Sequence, residues 1–255
     1  MIITDKKDIQ GMQQVSDAVA LTLKKMLAYA SPGMSTLELD TYGGALLAEF
    51  GARSAPNLVY KFPGFTCISI NNEVCHGIPN ARKIIQHGDV LNIDVSAELH
   101  GYWSDNGCSM VVGEDLHQQQ NLVNCSRNIL KNAISRIRTG VRINEIGDFI
   151  DKEARKNGYK VIKNLAGHGV GRALHEQPDN LLNYKDRQDT RRFRKGAVIA
   201  LETFINTHSS YAITLPDGFT MLGNNGGFAV QHEHTVLVTD GLPLILTEKN
   251  DIWEL

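Results

Sequence analysis

The chain has 255 residues, a formal net charge of −2 and 42% hydrophobic residues. This length accommodates one large domain or two small ones, and the near-neutral charge provides no basic excess that would indicate nucleic-acid binding. Because no apolar run approaches the length of a membrane span, the composition also argues against an integral membrane protein.

The N-terminal segment MIITDKKDIQ lacks the apolar core of a signal peptide. The four cysteines form no CxxC pair, and without an export signal we expect reduced thiols in the cytoplasm. They are Cys67, Cys75, Cys108 and Cys125. We therefore do not expect a structural zinc bound by cysteines.

Two helices are predicted at the start of the chain. The second lies between Gly33 and Gly51, with Ser35 or Thr36 as the capping candidate and a glycine at its end. The first carries apolar residues at helical spacing, namely Ile9, Met12, Val15, Val19, Leu23 and Met26.

A hairpin with two aspartates follows. VLNIDV alternates and contains β-branched residues, as strands do, and HGYWSDNGCSMVVG is its predicted return. A turn from Glu98 to Gly101 would place Asp94 directly opposite Asp105, with Cβ atoms about 5 Å apart. Two like charges this close are destabilising unless a cation lies between them. At this point a metal site and two separately solvated carboxylates both remain open.

The second half of the chain repeats the helices of the first. GVRINEIGDFIDKEARKNG (140–158) matches GMSTLELDTYGGALLAEFG (33–51), with bounding glycines at the same separation and an offset of 107 residues. Asn144 is its capping candidate. The amphipathic helix predicted before it contains Leu122, Ile129, Ala133 and Ile137.

The strands repeat as well. GAVIALET, which begins at Gly196, matches GDVLNIDV, which begins at Gly88, and this alignment places Glu202 at the position of Asp94. HGIP at His76 also resembles HEQP at His175. Duplication favours an α+β fold in which two halves, about 1–115 and 116–255, form one domain with a shared antiparallel sheet covered by helices.

Three further acid or imidazole groups lie in strand-like or glycine-rich contexts: His168 in AGHGVG, Glu202 in VIALETF and Glu233 in FAVQHEHTVLV. Taken singly, they could be a hydrogen-bonded loop histidine, an ion-paired glutamate and part of a polar surface strand. A carboxylate in a buried strand is costly unless it is paired or bound to metal. Together with Asp94 and Asp105 they form an oxygen-rich set that suits one or two divalent ions.

These motifs resemble those of type I methionine aminopeptidases of the pita-bread fold. The resemblance covers nearly the whole chain and rests on CISINNEVCHGIP, NIDV followed by Asp105, GHGVGRALHEQP, LETF and QHEHTVLVT. It implies two divalent ions, from among Co, Mn, Fe(II) and Zn. Asp94 would bind one ion, His168 and Glu202 the other, and Asp105 and Glu233 would bridge both.

The resemblance also implies an activity, the hydrolysis of N-terminal methionine from nascent proteins and peptides whose second residue is small. Glu202 would shuttle a proton, His175 would stabilise the tetrahedral intermediate and His76 would contact the scissile amide. The side-chain pocket would be lined by Pro56, Val59, Phe62, Cys67, Leu174 and Phe219. The family's metal ligands are all present, whereas the pocket residues differ from the usual ones and Thr203 stands where the family usually has proline. The sequence therefore supports hydrolysis better than strict methionine selectivity.

We expect a cytoplasmic monomer that acts on the N-terminal segments of nascent polypeptides, with the ribosome as a candidate place of encounter, and neither nucleic acid nor membrane as a partner. Two alternatives remain. One is a pita-bread peptidase with proline-related or broader specificity, and the other is a non-enzymatic binding protein on the same fold.

Overall fold

A computed structural model describes all 255 residues. The chain contains five α-helices, thirteen strands and two short 3₁₀ turns near the C-terminus. The helices are α1 (Lys6–Tyr29), α2 (Thr36–Glu49), α3 (Ala55–Tyr60), α4 (Gln120–Ile134) and α5 (Ile143–Lys156). The first-half strands are β1 (Arg53–Ser54), β2 (Cys67–Ile70), β3 (Glu73–Cys75), β4 (Val90–Leu99) and β5 (Tyr102–Val111). The others are β6 (Lys160–Val161), β7 (Ala166–Gly169), β8 (Glu176–Leu182), β9 (Val198–Asn206), β10 (Ala212–Thr214), β11 (Met221–Gly223), β12 (Ala229–Leu237) and β13 (Leu244–Ile245).

Ten strands form one antiparallel sheet, whose main path runs β1-β4-β5-β12-β9-β7-β8. The strands β2, β6 and β13 pair with β4, β9 and β12 respectively. A second sheet of three strands has the order β10-β11-β3. The long strands of the first half and those of the second half meet where β5 pairs with β12, so the sheet joins the two halves across its centre.

Helices cover the sheet because their apolar sides need a partner. Helix α1 packs on β4 and β5, and α4 packs on β9 and β12. Most of the buried apolar residues form one continuous cluster of 49, drawn from both halves, and six others form a second, smaller cluster, so the halves share one main core. This arrangement confirms the predicted α+β class with a central antiparallel sheet. None of the helices combines the length and apolarity that crossing a membrane requires.

The repeated helices α2 and α5 are bounded by equivalent glycines. Gly33 and Gly140 precede them with φ of 90° and 85°, and Gly51 and Gly158 follow them with φ of 69° and 83°. At such angles a Cβ would be strained, which explains glycine at all four positions.

The caps of these two helices differ. Ser35 caps α2 in a capping box with Glu38. The prediction of Asn144 as a cap is wrong, because the N-cap of α5 is Arg142, which makes no side-chain capping bond. Asn144 lies inside the first turn, and its amide donates to the carbonyl oxygens of Asp186 and Asp189 at 2.9 and 2.7 Å.

The register of the β4–β5 hairpin also differs from the prediction. His100 and Gly101 form a two-residue turn, both with positive φ (54° and 81°), and Leu99 pairs with Tyr102. Two-residue turns of this kind fit the twist of paired strands. Asp94 therefore lies opposite Gly107 rather than Asp105. Because the shift is two residues, both aspartates still project from the same face.

Candidate metal centre and active site

Three carboxylates lie in one row across the middle of the sheet. Asp94 on β4 pairs with Gly107 on β5, Gly107 pairs with Glu233 on β12, and Glu233 pairs with Glu202 on β9. Asp105 stands on the same face of β5, two residues from Gly107. Paired residues project to the same side, so the sheet itself brings the four acids together.

His168 completes the cluster from β7, which pairs with β9. Its Nε2 lies 3.9 Å from Asp105 Oδ2 and 3.9 Å from Glu202 Oε1. Candidate ligand atoms of Asp105, His168 and Glu233 all lie within 4.8 Å of one another. The structure therefore gathers all five predicted ligands in one place, at the wall of a cavity of about 680 Å³.

Burial makes this cluster of acids electrostatically unfavourable by itself. It raises the pKa of Asp94 to about 6 and holds the pKa values of Asp105, Glu202 and Glu233 well above their usual range, with mutual repulsion adding to the effect on the last three. Burial also lowers the pKa of His168 to about 3, so its imidazole is neutral and able to bind a metal.

The donor set fits divalent cations. No lysine or arginine forms an ion pair with the four acids. Asp105 Oδ1 and Glu233 Oε1 are buried without any hydrogen-bond partner. Buried carboxylates without a cationic partner are costly in free energy, and four of them with one imidazole form a donor set that suits divalent metal ions.

Gln231 supports two of the acids, and the sequence analysis did not identify it. Its amide nitrogen lies 2.9 Å from Glu233 Oε2 and 3.3 Å from Glu202 Oε2. Asn92 donates to Gln231 Oε1 at 2.9 Å and so fixes the orientation of the amide. The available signal was its position two residues before Glu233, which places both side chains on one face of β12.

Both predicted non-ligand histidines line the cavity. His76 follows β3 in a left-handed conformation, with φ of 54°. His175 precedes β8, and its ring centroid lies 4.1 Å from that of His168. The hydroxyl of Tyr60, at the end of α3, lies 2.7 Å from His175 Nδ1. Partial burial raises the pKa of Tyr60, so this hydroxyl keeps its proton.

The apolar part of the cavity contains most of the predicted pocket. Pro56, Phe62, Cys67, Leu174 and Phe219 all line it. Phe62 and Phe219 meet edge to face, with centroids 5.2 Å apart at 89°. Additional apolar lining that was not predicted comes from Tyr60, Leu165, Phe204 and Met221.

Val59 does not line the cavity, contrary to the prediction. Its side chain is 45% exposed, whereas its neighbour Tyr60 reaches the cavity. Successive side chains on a helix such as α3 diverge by about 100°, so both cannot face the same space.

Comparison with known proteins places this site in context. Residues 10–240 match the model of metallopeptidase family M24. Methionine aminopeptidase 2 of Bacillus subtilis (strain 168) is 44% identical over 248 residues, which cover 97% of this chain and all of that protein. A solved methionine aminopeptidase from Thermotoga maritima superposes with a TM-score of 0.92 at 30% identity, covering 97% of this chain and 99% of the other. A prolidase from Pyrococcus horikoshii shares the fold, with a TM-score of 0.75 at 22% identity over 96% of this chain and 63% of its own.

Proposed function

The chain belongs to metallopeptidase family M24, as one of its methionine aminopeptidases, and we propose that it removes N-terminal methionine from peptides with a small second residue, at a centre of two divalent metal ions. The observation that carries the proposal is the buried cluster of four carboxylates and one imidazole, which has no cationic partner from the protein and two carboxylate oxygens without any partner.

Asp94, Asp105, His168, Glu202 and Glu233 would hold the ions. Asp105 and Glu233 would contribute to holding both ions, since they stand on the two central strands between β4 and β9. When bound, two such ions supply hydroxide near neutral pH and polarise the carbonyl of the scissile bond.

The remaining steps fall to side chains around the ligands. Glu202 would take a proton from the attacking water and pass it to the leaving amine, as a general acid–base carboxylate does. His175 donates a hydrogen bond to the tetrahedral intermediate, and His76 contacts the scissile amide. All five ligands and both histidines come from one chain, so the proposed site is complete in a monomer, with nascent polypeptides as its proposed substrates.

The pocket supports a preference for methionine. An unbranched, polarisable side chain suits an apolar space closed by the rings of Phe62 and Phe219. The side chain of Leu174, which also lines the pocket, is aliphatic and flexible and can accommodate substrate side chains of other shapes. Because a hydrophobic pocket discriminates a single methylene by only about 1–3 kcal/mol, we expect measurable hydrolysis of leucine and norleucine substrates.

A peptide panel tests the proposed specificity. We expect kcat/KM for a Met-Ala peptide to exceed that for Leu-Ala by about 10- to 200-fold and to exceed that for Met-Lys, assayed with Mn, Fe(II), Co and Zn in turn. Activity should disappear after chelation and return with metal. A preference for Ala-Pro over Met-Ala would contradict the proposed specificity and support the proline-related alternative.

A further inference from the structure

Tyr60 makes the only hydrogen bond to the imidazole of His175, between its hydroxyl and Nδ1 at 2.7 Å. The two rings lie 5.9 Å apart, and both line the cavity. The contact joins α3 to the loop before β8, and no strand pairing connects these two segments.

This contact links the tautomer of His175 to the direction of one hydrogen bond. A neutral imidazole has one N–H donor and one acceptor nitrogen. If the Tyr60 hydroxyl donates to Nδ1, then Nδ1 is the acceptor and the proton resides on Nε2. An Nε2–H group can donate to an oxygen that becomes negative during peptide hydrolysis, whereas the other tautomer would present a lone pair to it.

We propose that Tyr60 is a positioning residue that holds His175 in the Nε2–H tautomer and fixes the direction of its ring. The proposal rests on the proposed hydrolysis and specifies how one of its side chains is prepared. The Tyr60 hydroxyl makes its hydrogen bond to His175 and none to the proposed ligands. We therefore expect the hydroxyl to act on the reaction through His175.

The test is a double-mutant cycle with Tyr60→Phe and His175→Ala, assayed on a Met-Ala peptide with Mn. Tyr60→Phe removes the hydroxyl and keeps the ring, so we expect kcat to fall by about three- to tenfold with KM changed less than about twofold. His175→Ala should lower kcat by about 10²–10³-fold. In the His175→Ala background, Tyr60→Phe should have no further effect.

Tyr211→Phe is the matched control. Tyr211 is 49% exposed, as Tyr60 is, and its hydroxyl makes no hydrogen bond, so its loss should leave kcat unchanged. Wild-type kcat in Tyr60→Phe, or an equal fall in kcat in both backgrounds, would overturn the proposal.

A spectroscopic measurement makes the test independent of turnover. In protein labelled with ¹⁵N-histidine, with His175 assigned by comparison with His175→Ala, the wild type should show a protonated Nε2 and a bare Nδ1, and Tyr60→Phe should show a mixture. A proton on Nδ1 in the wild type would refute the proposal. If the wild type failed to hydrolyse Met-Ala, the proposed function would fail, whereas the tautomer of His175 would still be decided by the spectrum.

Discussion

At the residue scale, the separation between Glu202 and Glu233 depends on Gln231, whose single amide nitrogen contacts both carboxylates. The close packing around it leaves little freedom, since a Cβ at Gly107 would lie 2.1 Å from Gln231 Oε1. Gln231 thus fixes the two carboxylates before any ion arrives.

We expect Gln231→Leu to weaken divalent metal binding by about 10- to 100-fold, the usual cost of losing a group that orients metal ligands. Isothermal titration with Mn measures this directly. Gln14→Leu is the control, because Gln14 is exposed and makes no side-chain hydrogen bond. Unchanged Mn affinity in Gln231→Leu would show that the carboxylates hold their positions without the amide.

Asp105→Ala should abolish activity and yet leave the metal-free protein folded. One of its carboxylate oxygens has no partner and burial raises its pKa, so the charged side chain contributes little to the stability of the metal-free fold. We therefore expect an unchanged or higher midpoint of thermal unfolding in EDTA, together with loss of Met-Ala hydrolysis. Wild-type turnover in this variant would refute the assignment of Asp105.

The sequence allowed the acids to be predicted because a carboxylate within an apolar strand is conspicuous in any context. Tyr60 and Gln231 could not be found in this way, because the partner of a polar side chain depends on which segments the fold brings together. The prediction that Val59 lines the pocket failed for a local reason. The direction in which a side chain leaves a short helix depends on how the helix is rotated about its own axis.

At the element scale, α2 and α5 have the same length and equivalent bounding glycines but different N-caps. Ser35 and Glu38 complete a capping box on α2. On α5 the equivalent positions are Arg142 and Glu145, so the glutamate of a capping box is present but the serine is not.

We expect Ser35→Ala to lower the free energy of unfolding by about 1 kcal/mol and Arg142→Ser to raise it by about 0.5–1 kcal/mol, because serine at Arg142 would restore the box with Glu145. Urea denaturation measures both changes. The two variants are controls for each other, and a loss of stability in Arg142→Ser would mean that Arg142 has a contact worth more than the cap.

The long elements were predictable from periodicity, whereas the register of the β4–β5 hairpin was not. Register depends on how many residues the turn consumes, and His100 adopts a positive φ of 54°, which is uncommon outside glycine. The small sheet that leads into His76 was also missed, because its strands have three residues each and no measurable alternation.

At the scale of the whole molecule, the proposed ligands connect the two halves. Asp94 and Asp105 come from the first half, and His168, Glu202 and Glu233 from the second. Bound ions would therefore stabilise the association of the halves as well as the reaction.

We expect divalent metal to raise the midpoint of thermal unfolding. At a free concentration 100 times the Kd the gain in stability is about 2.7 kcal/mol, or roughly 5–10 °C for a chain of this size. Differential scanning fluorimetry with and without Mn measures the shift. Asp105→Ala should show a much smaller shift, and an equal shift in that variant would place the stabilising ions elsewhere.

At the seam between β5 and β12 the proposed ligand set is only partly symmetric. Asp94 and Glu202 occupy equivalent strands of the two halves, as do Asp105 and Glu233, but His168 has no counterpart in the ligand set. In a symmetric dimer of identical half-length chains, every substitution would appear twice around the axis. Two halves that share one chain can differ at any position, so a single imidazole can stand among paired acids and make the two sides of the proposed site chemically different.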